Sequence, residues 1–167
     1  MKKIGIFYGS TTGTTEHIAK EIASDMGIRD IDIHDVRNTS PSVLGDYDVI
    51  LIGSSTWGDG EIQDDMHDFI DGAGVVSLKG KYVGVFGCGD DTMSETFCNA
   101  VGKIYDAMKK TGATMVGDFN ADGYEFDHSD AEINGRVVGL LIDNVNHDNL
   151  TPEKIKEWTD EIKRQIA

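Results

Sequence analysis

Apolar positions in this chain follow two periods in turn. Ile4-Gly5-Ile6-Phe7-Tyr8 is a short continuous apolar run, and Ile18, Ala19, Ile22, Ala23 and Met26 then recur at helical spacing. The first reads as a buried strand, the second as an amphipathic helix. The same alternation predicts strands over about Lys3–Tyr8, Asp30–Asp35, Val49–Ile52, Tyr82–Phe86 and Thr114–Phe119. It predicts helices over about Thr14–Met26, Asp64–Ala73 and Ser94–Thr111, and a last one opening at Thr151. Met66, Phe69 and Ile70 fall on one side of the second helix. Phe97, Val101, Ile104 and Met108 do so on the third, and Ile155, Trp158, Ile162 and Ile166 on the last. Thr151 is placed as the N-cap of that helix, with Pro152 at its first helical position.

Apolar strands separated by amphipathic helices belong to a parallel sheet covered on both faces. The expected fold is α/β, a three-layer, doubly wound, five-stranded parallel sheet. Residues 120–136 show neither period, and a second apolar run, Val137–Ile142, comes after them. A stretch of this length without structure is usually an insertion or functional. We read it as an insertion that splits strand five. A chain of 167 residues suits one domain, 1–167, with a proper core.

Charge narrows the function. Thirty acids face 15 bases, a net charge of −15. Nucleic acid, which needs clustered Lys and Arg, is not an expected partner. No base occurs between Arg37 and Lys79, between Lys81 and Lys103, or between Lys110 and Arg136, while Asp59, Glu61, Asp64, Asp65, Asp68 and Asp71 crowd one segment. On its own such a cluster usually reads as a solvated surface. No apolar run is long enough to span a membrane, and Met1-Lys2-Lys3 runs straight into the first strand without a secretory segment. Cys88 and Cys98 are too few for a disulfide framework. A cytoplasmic location is the expectation. His17, His34, His67, His128 and His147 have no ligand spacing and are expected to be structural or on the surface, and no metal site or Ser–His–acid set is indicated.

The first strand is followed by Gly9-Ser10-Thr11-Thr12-Gly13-Thr14-Thr15 and then by a helix. Turn N–H groups and a helix N-terminus together favour an anion. The loop has no Lys, so it is not a P-loop, and it lacks G-x-G-x-x-G, which disfavours a dinucleotide. Neutral hydroxyls suit a phosphate held permanently. Hydroxyls are also ordinary helix caps, and taken alone the two readings are even. In a doubly wound sheet the ligand sits at the carboxyl ends of the strands. Two more loops would meet there: Ser54-Ser55-Thr56-Trp57-Gly58-Asp59-Gly60 and Gly87-Cys88-Gly89-Asp90-Asp91. Glycines let backbone approach a ligand closely. Trp57, at a glycine-flanked tip, either anchors the loop or covers something flat. A phosphate at one end and an indole at the other describe a mononucleotide with an aromatic head.

With these motifs the chain resembles the flavodoxin family. Ser10-x-Thr12-Gly13-x-Thr15 is similar to its phosphate loop, and Thr56-Trp57-x-x-Gly60-Glu61 to the loop on the flavin's inner face. Gly89-Asp90, with Ser94-Glu95-Thr96-Phe97, resembles the loop on the other face. Asp122-Gly123-Tyr124-Glu125-Phe126 and Val138-Gly139-Leu140 resemble the insertion of the long-chain branch. The resemblance, which runs the length of the chain, implies the family's strand order 2-1-3-4-5 and non-covalently bound FMN. It implies a low-potential one-electron carrier working through the semiquinone/hydroquinone couple, not an enzyme. By position, Ser10, Thr11, Thr12, Gly13, Thr14 and Thr15 would hold the phosphate. Ser55, Thr56, Trp57, Gly58, Asp59 and Gly60 would line one side of the ring, and Cys88, Gly89 and Asp90 its pyrimidine edge. Met93, Thr96 and Phe97 complete the expected set, with Met93 where many relatives place a tyrosine over the outer face. The Gly58–Asp59 peptide is the candidate acceptor for the flavin N5 proton, and the surrounding acids would disfavour the reduced anion. Implied partners are redox proteins with basic docking surfaces, such as flavodoxin/ferredoxin reductases, 2-oxoacid oxidoreductases or nitrogenase reductase, met by a monomer. An FMN-dependent NAD(P)H:quinone reductase and a receiver-like regulatory module are the competing readings. The receiver would need paired acids after strand one, where this chain has hydroxyls.

Overall fold

The computed structural model describes residues 2–167. In chain order the elements are β1 (Ile4–Gly9), α1 (Thr14–Met26), β2 (Ile33–Asp35), β3 (Val49–Trp57), β4 (Glu61–Ile62), α2 (Asp64–Ala73) and β5 (Tyr82–Cys88). They continue with α3 (Asn99–Lys109), β6 (Thr114–Val116), β7 (Glu132–Ile133), β8 (Arg136–Val137), β9 (Leu140–Ile142) and α4 (Thr151–Ile166). The principal sheet runs β2-β1-β3-β5-β6, with β9 also paired to β5, and these pairings are all parallel. Counting β6 and β9 as the two halves of one interrupted strand, this is the order 2-1-3-4-5. The expected split of strand five by an insertion is therefore observed.

Helices α1 and α4 pack side by side on one face, and α2 and α3 on the other. The stripes that predicted the helices are the ones buried: Ile18, Ala19, Ile22 and Ala23 on α1, Met66, Phe69 and Ile70 on α2, and Ile155, Trp158, Ile162 and Ile166 on α4. They cover central strands whose Ile6, Phe7, Ile50, Leu51 and Ile52 have no exposed surface.

Several boundaries differ from expectation. The third strand runs five residues past Ile52 to Trp57, carried by pairing with β5 as far as Ser55 and with β4 at Thr56 and Trp57. Four other differences go with contacts made outside the element. Residues 94–98, expected within the third helix, are a run of turns, and α3 starts at Asn99. In a helix the Ser94 carbonyl would accept from Cys98. Here it accepts from the Asp127 and His128 N–H groups of the insertion, at 2.8 Å each, and Cys98 takes a left-handed conformation with φ 50°. The second strand is shortened to Ile33–Asp35 because residues 30–32 form a 3₁₀ turn, where the buried Asp32 carboxylate accepts from the Tyr47 hydroxyl at 2.9 Å. Strand five leaves the sheet at Gly117, φ 87°, whose carbonyl accepts from the Trp158 indole at 2.9 Å. Thr151 is the first residue of α4, not its cap, and Pro152 follows one position later than expected. The Thr151 hydroxyl donates instead to Asn144 Oδ1 at 2.7 Å.

Candidate functional site

Register assembles the site. Gly9 of β1 lies opposite Ser54 of β3, Ser54 opposite Gly87 of β5, and Gly87 opposite Leu141 of β9. One row of the sheet thus crosses the carboxyl-terminal halves of four strands, and the loops after them leave from a common edge. They enclose an open cleft of about 230 Å³ lined by Thr12, Thr14, Ser55, Thr56, Trp57, Cys88, Gly89, Asp90, Asn144 and Val145.

The first end of the cleft is the loop after β1. Gly13 stands before α1 with φ 97°, and no side chain caps the helix. Ser10 accepts the Gly13 N–H at 3.1 Å, so its hydroxyl shapes the turn. Thr11 and Thr12 are exposed. Thr11 accepts from the Gln63 amide at 3.2 Å and lines a smaller adjoining hollow with Trp57 and Asp64. Thr15 is buried, and its hydroxyl lies 3.1 Å from the Cys88 thiol. An uncapped helix N-terminus with free hydroxyls beside it is a ready anion site.

The middle of the cleft is the hairpin of β3 and β4. Trp57 is 42% exposed, and its indole N–H donates to Ser55 Oγ at 2.7 Å. Its polar edge is satisfied and its apolar faces remain available. Gly58 and Gly60 have φ 51° and 94°. A Cβ on Gly58 would meet nothing, whereas one on Gly60 would come within 2.6 Å of the Asn99 amide. Thr56 Oγ1 accepts the Ala100 N–H at 3.3 Å, which ties the hairpin to α3.

The far end is the most heavily bonded. Asp143, fully buried, accepts from the Val145 and Asn146 N–H groups through Oδ1, at 2.9 and 2.8 Å. Its Oδ2 accepts from the Asp91 N–H at 2.9 Å and the Asn146 amide at 3.0 Å. Burial alone would raise the Asp143 pKa, but these N–H donors outweigh it and hold the carboxyl below the usual range. Asp90 is also held low, first by the Thr92 hydroxyl, with the Asn146 amide adding to it. Asp91, Asp143 and His147 place ligand-type atoms within 4.8 Å of one another. Each carboxylate oxygen of the pair already accepts an N–H, and Asp91 also accepts from the Glu125 backbone and contacts His147 at 2.6 Å. The group therefore acts as a knot between loops.

Of the expected residues, Thr12, Thr14, Ser55, Thr56, Trp57, Cys88, Gly89 and Asp90 line the cleft, whereas Ser10, Thr11, Gly13, Thr15, Gly58, Asp59 and Gly60 stand in the loops that frame it and Met93, Thr96 and Phe97 lie outside its lining. Phe97 is buried in the core against Tyr124 and Phe126, at ring centroid distances of 5.4 and 4.9 Å. Met93 is half exposed in the turns before α3, and neither it nor Thr96 lines the cleft. Asn144 and Val145 do line the cleft and were not anticipated. The loop after β9 becomes visible as a site element only once β9 is known to pair with β5. Burial raises the pKa values of Cys88 and Cys98, the latter strongly, so neither thiol is reactive at neutral pH.

Sheet order, uncapped first helix and glycine-framed indole define a doubly wound, mononucleotide-type binding protein. A family model described as Flavodoxin matches residues 6–158, and the chain belongs to the flavodoxin family. It is 40% identical over 164 residues to a flavodoxin of Buchnera aphidicola subsp. Acyrthosiphon pisum, covering 97% of this chain and 96% of that one. It is likewise 40% identical to flavodoxin 1 of Escherichia coli K12, covering 97% and 93%. In structure it resembles the Fusobacterium nucleatum flavodoxin bound to flavin mononucleotide, with a TM-score of 0.92, 31% identity and 99% of both chains covered. Among the described residues no helix is long and apolar enough to cross a membrane.

Proposed function

We propose that this protein is a low-potential electron carrier that binds FMN non-covalently within one 167-residue domain and exchanges single electrons with partner redox proteins. The observation that carries the reading is the junction, in one cleft, of the uncapped α1 N-terminus and the exposed Trp57. The residues present fit the cofactor. Thr12 and Thr14, with the Gly13–Thr15 backbone, would hold the phosphate without a counter-ion. Trp57 would cover one face of the ring, and Gly89 and Asp90 would meet its polar edge. Bound FMN supplies the one-electron redox chemistry, and the chain sets its energetics. Gly58, already at positive φ, lets the Gly58–Asp59 peptide reorient toward a protonated ring nitrogen at little steric cost. Asp59, Asp90 and Asp91 surround the cleft with negative charge, which disfavours an anionic reduced ring. The same charge would steer partners with basic surfaces toward the cleft mouth. We place this carrier in the cytoplasm as a monomer, in keeping with its two free, buried thiols.

Titration with FMN and with riboflavin tests the reading. About one FMN per chain should bind, with riboflavin, which lacks the phosphate, binding more weakly. Equal affinities would remove the phosphate assignment of the β1 loop.

A further inference from the structure

We infer that Gln63, a buried residue outside the lining of the cleft, is a positioning residue for its phosphate end. The Gln63 amide fixes the Thr11 hydroxyl as an acceptor on the α2 side, and so leaves that hydroxyl's proton for an incoming phosphate. The inference rests on the FMN reading above. Gln63 is 3% exposed and stands between β4 and α2. Its backbone N–H donates to Ser54 Oγ at 3.1 Å, which ties it to β3. Its Oε1 accepts the Met66 N–H at 3.0 Å, and its Nε2 donates to Asp65 Oδ2 at 2.9 Å and to Thr11 Oγ1 at 3.2 Å. The side chain also lies against the end of β1, where a Cβ on Gly9 would come within 2.5 Å of Gln63 Oε1. One residue thus joins β3, the start of α2, the end of β1 and the loop before α1.

The direction of each bond follows from partners that can play only one part. A backbone N–H only donates, and an ionised carboxylate only accepts. The amide oxygen must therefore face Met66 and the amide nitrogen Asp65. A reversed amide would set donor against donor at Met66 and acceptor against acceptor at Asp65. The second proton of the nitrogen is then aimed at Thr11, whose oxygen accepts it. A hydroxyl has a single proton, and this one is not spent on Gln63. Thr11 is exposed, two residues before Gly13 and the uncapped start of α1. Ser10 is set in the same sense, since its oxygen accepts the Gly13 N–H at 3.1 Å. A donor oriented before the anion arrives gives a strong bond without a cost in ordering. The loop cannot orient Thr11 in this way by itself, because Gln63 reaches it from 52 residues away.

The test is a double-mutant cycle. Gln63→Met keeps the length of the side chain without its donors, and Thr11→Val keeps the shape without the hydroxyl. Each flavin-free protein, the double variant included, is titrated with FMN and with riboflavin while flavin fluorescence is followed, and urea midpoints are recorded. Gln63→Met also removes the cap of α2, so its midpoint should fall. A purely structural loss would weaken both flavins alike. Instead, Gln63→Met should weaken FMN by about three- to tenfold and leave riboflavin unchanged. Thr11→Val should weaken FMN by about tenfold, again without effect on riboflavin. Once the Thr11 hydroxyl is gone, Gln63→Met should have no further effect on FMN, while the urea midpoint still falls. If Gln63→Met does not fold, Gln63→Glu, which keeps the acceptor for Met66, replaces it in the cycle. Its loss of FMN affinity should be smaller without the Thr11 hydroxyl than with it. The inference is overturned if the Gln63 variant weakens both flavins equally, changes neither, or weakens FMN by the same factor with and without that hydroxyl. If the wild type holds FMN no more tightly than riboflavin, the phosphate reading fails first and this inference fails with it.

Discussion

The two ends of the cleft are built in opposite ways. At the β1 end, α1 begins without a side-chain cap, and Thr11, Thr12 and Gly13 are exposed. At the β9 end, the fully buried Asp143 accepts four N–H donors from three residues, and Asn146 bridges onward to Asp90. The contrast extends to a neighbouring helix. The N-terminus of α2 is closed by Gln63, which accepts the Met66 N–H at 3.0 Å, with Asp64 and Asp65 in its first turn. Helix α1 is left open in the same molecule. Donors left unsatisfied where water can reach them cost the folded protein little and serve an incoming anion. Acceptors saturated in the interior hold loops in place. One end of the cleft is thus made for the ligand and the other for the frame around it.

The largest expected effect comes from breaking the frame. Asp143→Asn keeps the shape but leaves one oxygen and an amide facing donors that need acceptors. Hydrogen bonds to a charged group contribute about 1.5–3 kcal/mol each, so a loss of about 3 kcal/mol of stability is expected in urea unfolding. The change should also blunt the acid sensitivity of the protein. The Asp143 pKa in the folded state lies below the ordinary 3.8. Its stabilisation is therefore complete above the unfolded value and is lost as pH falls through the folded one. Asp32 adds to the same window. Burial opposes its ionisation, but the Tyr47 hydroxyl and Arg29 outweigh that and hold it low. Unfolding curves collected below about pH 4 should be steeper in pH for the wild type than for Asp143→Asn. Equal slopes would mean that Asp143 is not the hub.

Thr12→Asp at the open end should do the reverse. A carboxylate there repels a phosphate and removes a hydroxyl donor, a loss of about 2–3 kcal/mol in FMN binding, or roughly thirty- to a hundredfold. Riboflavin affinity and the stability of the flavin-free protein should hardly change, because a negative charge is welcome beside an uncapped helix. If Thr12→Asp destabilises the flavin-free protein as Asp143→Asn does, the two ends do not differ in kind.

The open end was legible in the sequence and the frame was not. The hydroxyl loop, the strand before it and the limits of α1 and α2 all follow from local signals: periodicity, Gly13 and Gly27 at the ends of α1, acids opening α2. The frame depends on pairs far apart in the chain. Asp143 reaches Asp91, and Glu125 donates to Asp91 across 34 residues. Ser94 gives its carbonyl to the insertion, which is why the helical pattern over 94–98 misled. One missed element did have a local signal. Ile133-Asn134-Gly135-Arg136 forms the turn of the β7–β8 hairpin, with φ 54° and 80° at Asn134 and Gly135. Asn-Gly between short strands is a strong hairpin signature, here hidden inside a segment read as aperiodic.

Between the two ends stands the β3–β4 hairpin, and Gly58→Val probes it. A Cβ there meets no neighbour, so the substitution acts through backbone strain alone. Holding a β-branched residue at positive φ costs about 1–2 kcal/mol. With FMN bound, the gap between the two one-electron midpoint potentials should narrow, while oxidised FMN binds nearly as tightly as before. Unchanged potentials would mean that reorientation of the Gly58–Asp59 peptide does not set them.

The smallest expected effect concerns the acidic face beside the hairpin. Asp64 and Asp65 occupy the first turn of α2, and Asp65 also accepts the Gln63 amide at 2.9 Å. Glu61 lies 3.8 Å from Lys103. Reversing those charges would disturb the fold as well as any docking. Asp59 and Asp68 are exposed; among the described residues Asp59 has no basic partner and Asp68 only the exposed His67 at 3.9 Å, so Asp59→Lys with Asp68→Lys isolates the surface charge. At low ionic strength, electron transfer from a basic partner reductase should slow by about three- to tenfold, roughly 0.7–1.4 kcal/mol, in the double variant. The difference should fade as added salt shortens the Debye length toward about 10 Å at 0.1 M. FMN affinity and urea midpoint should stay at wild-type values, which separates docking from both ends of the cleft. If the wild-type rate is already independent of salt, the acids on this face serve solubility and the steering assignment falls.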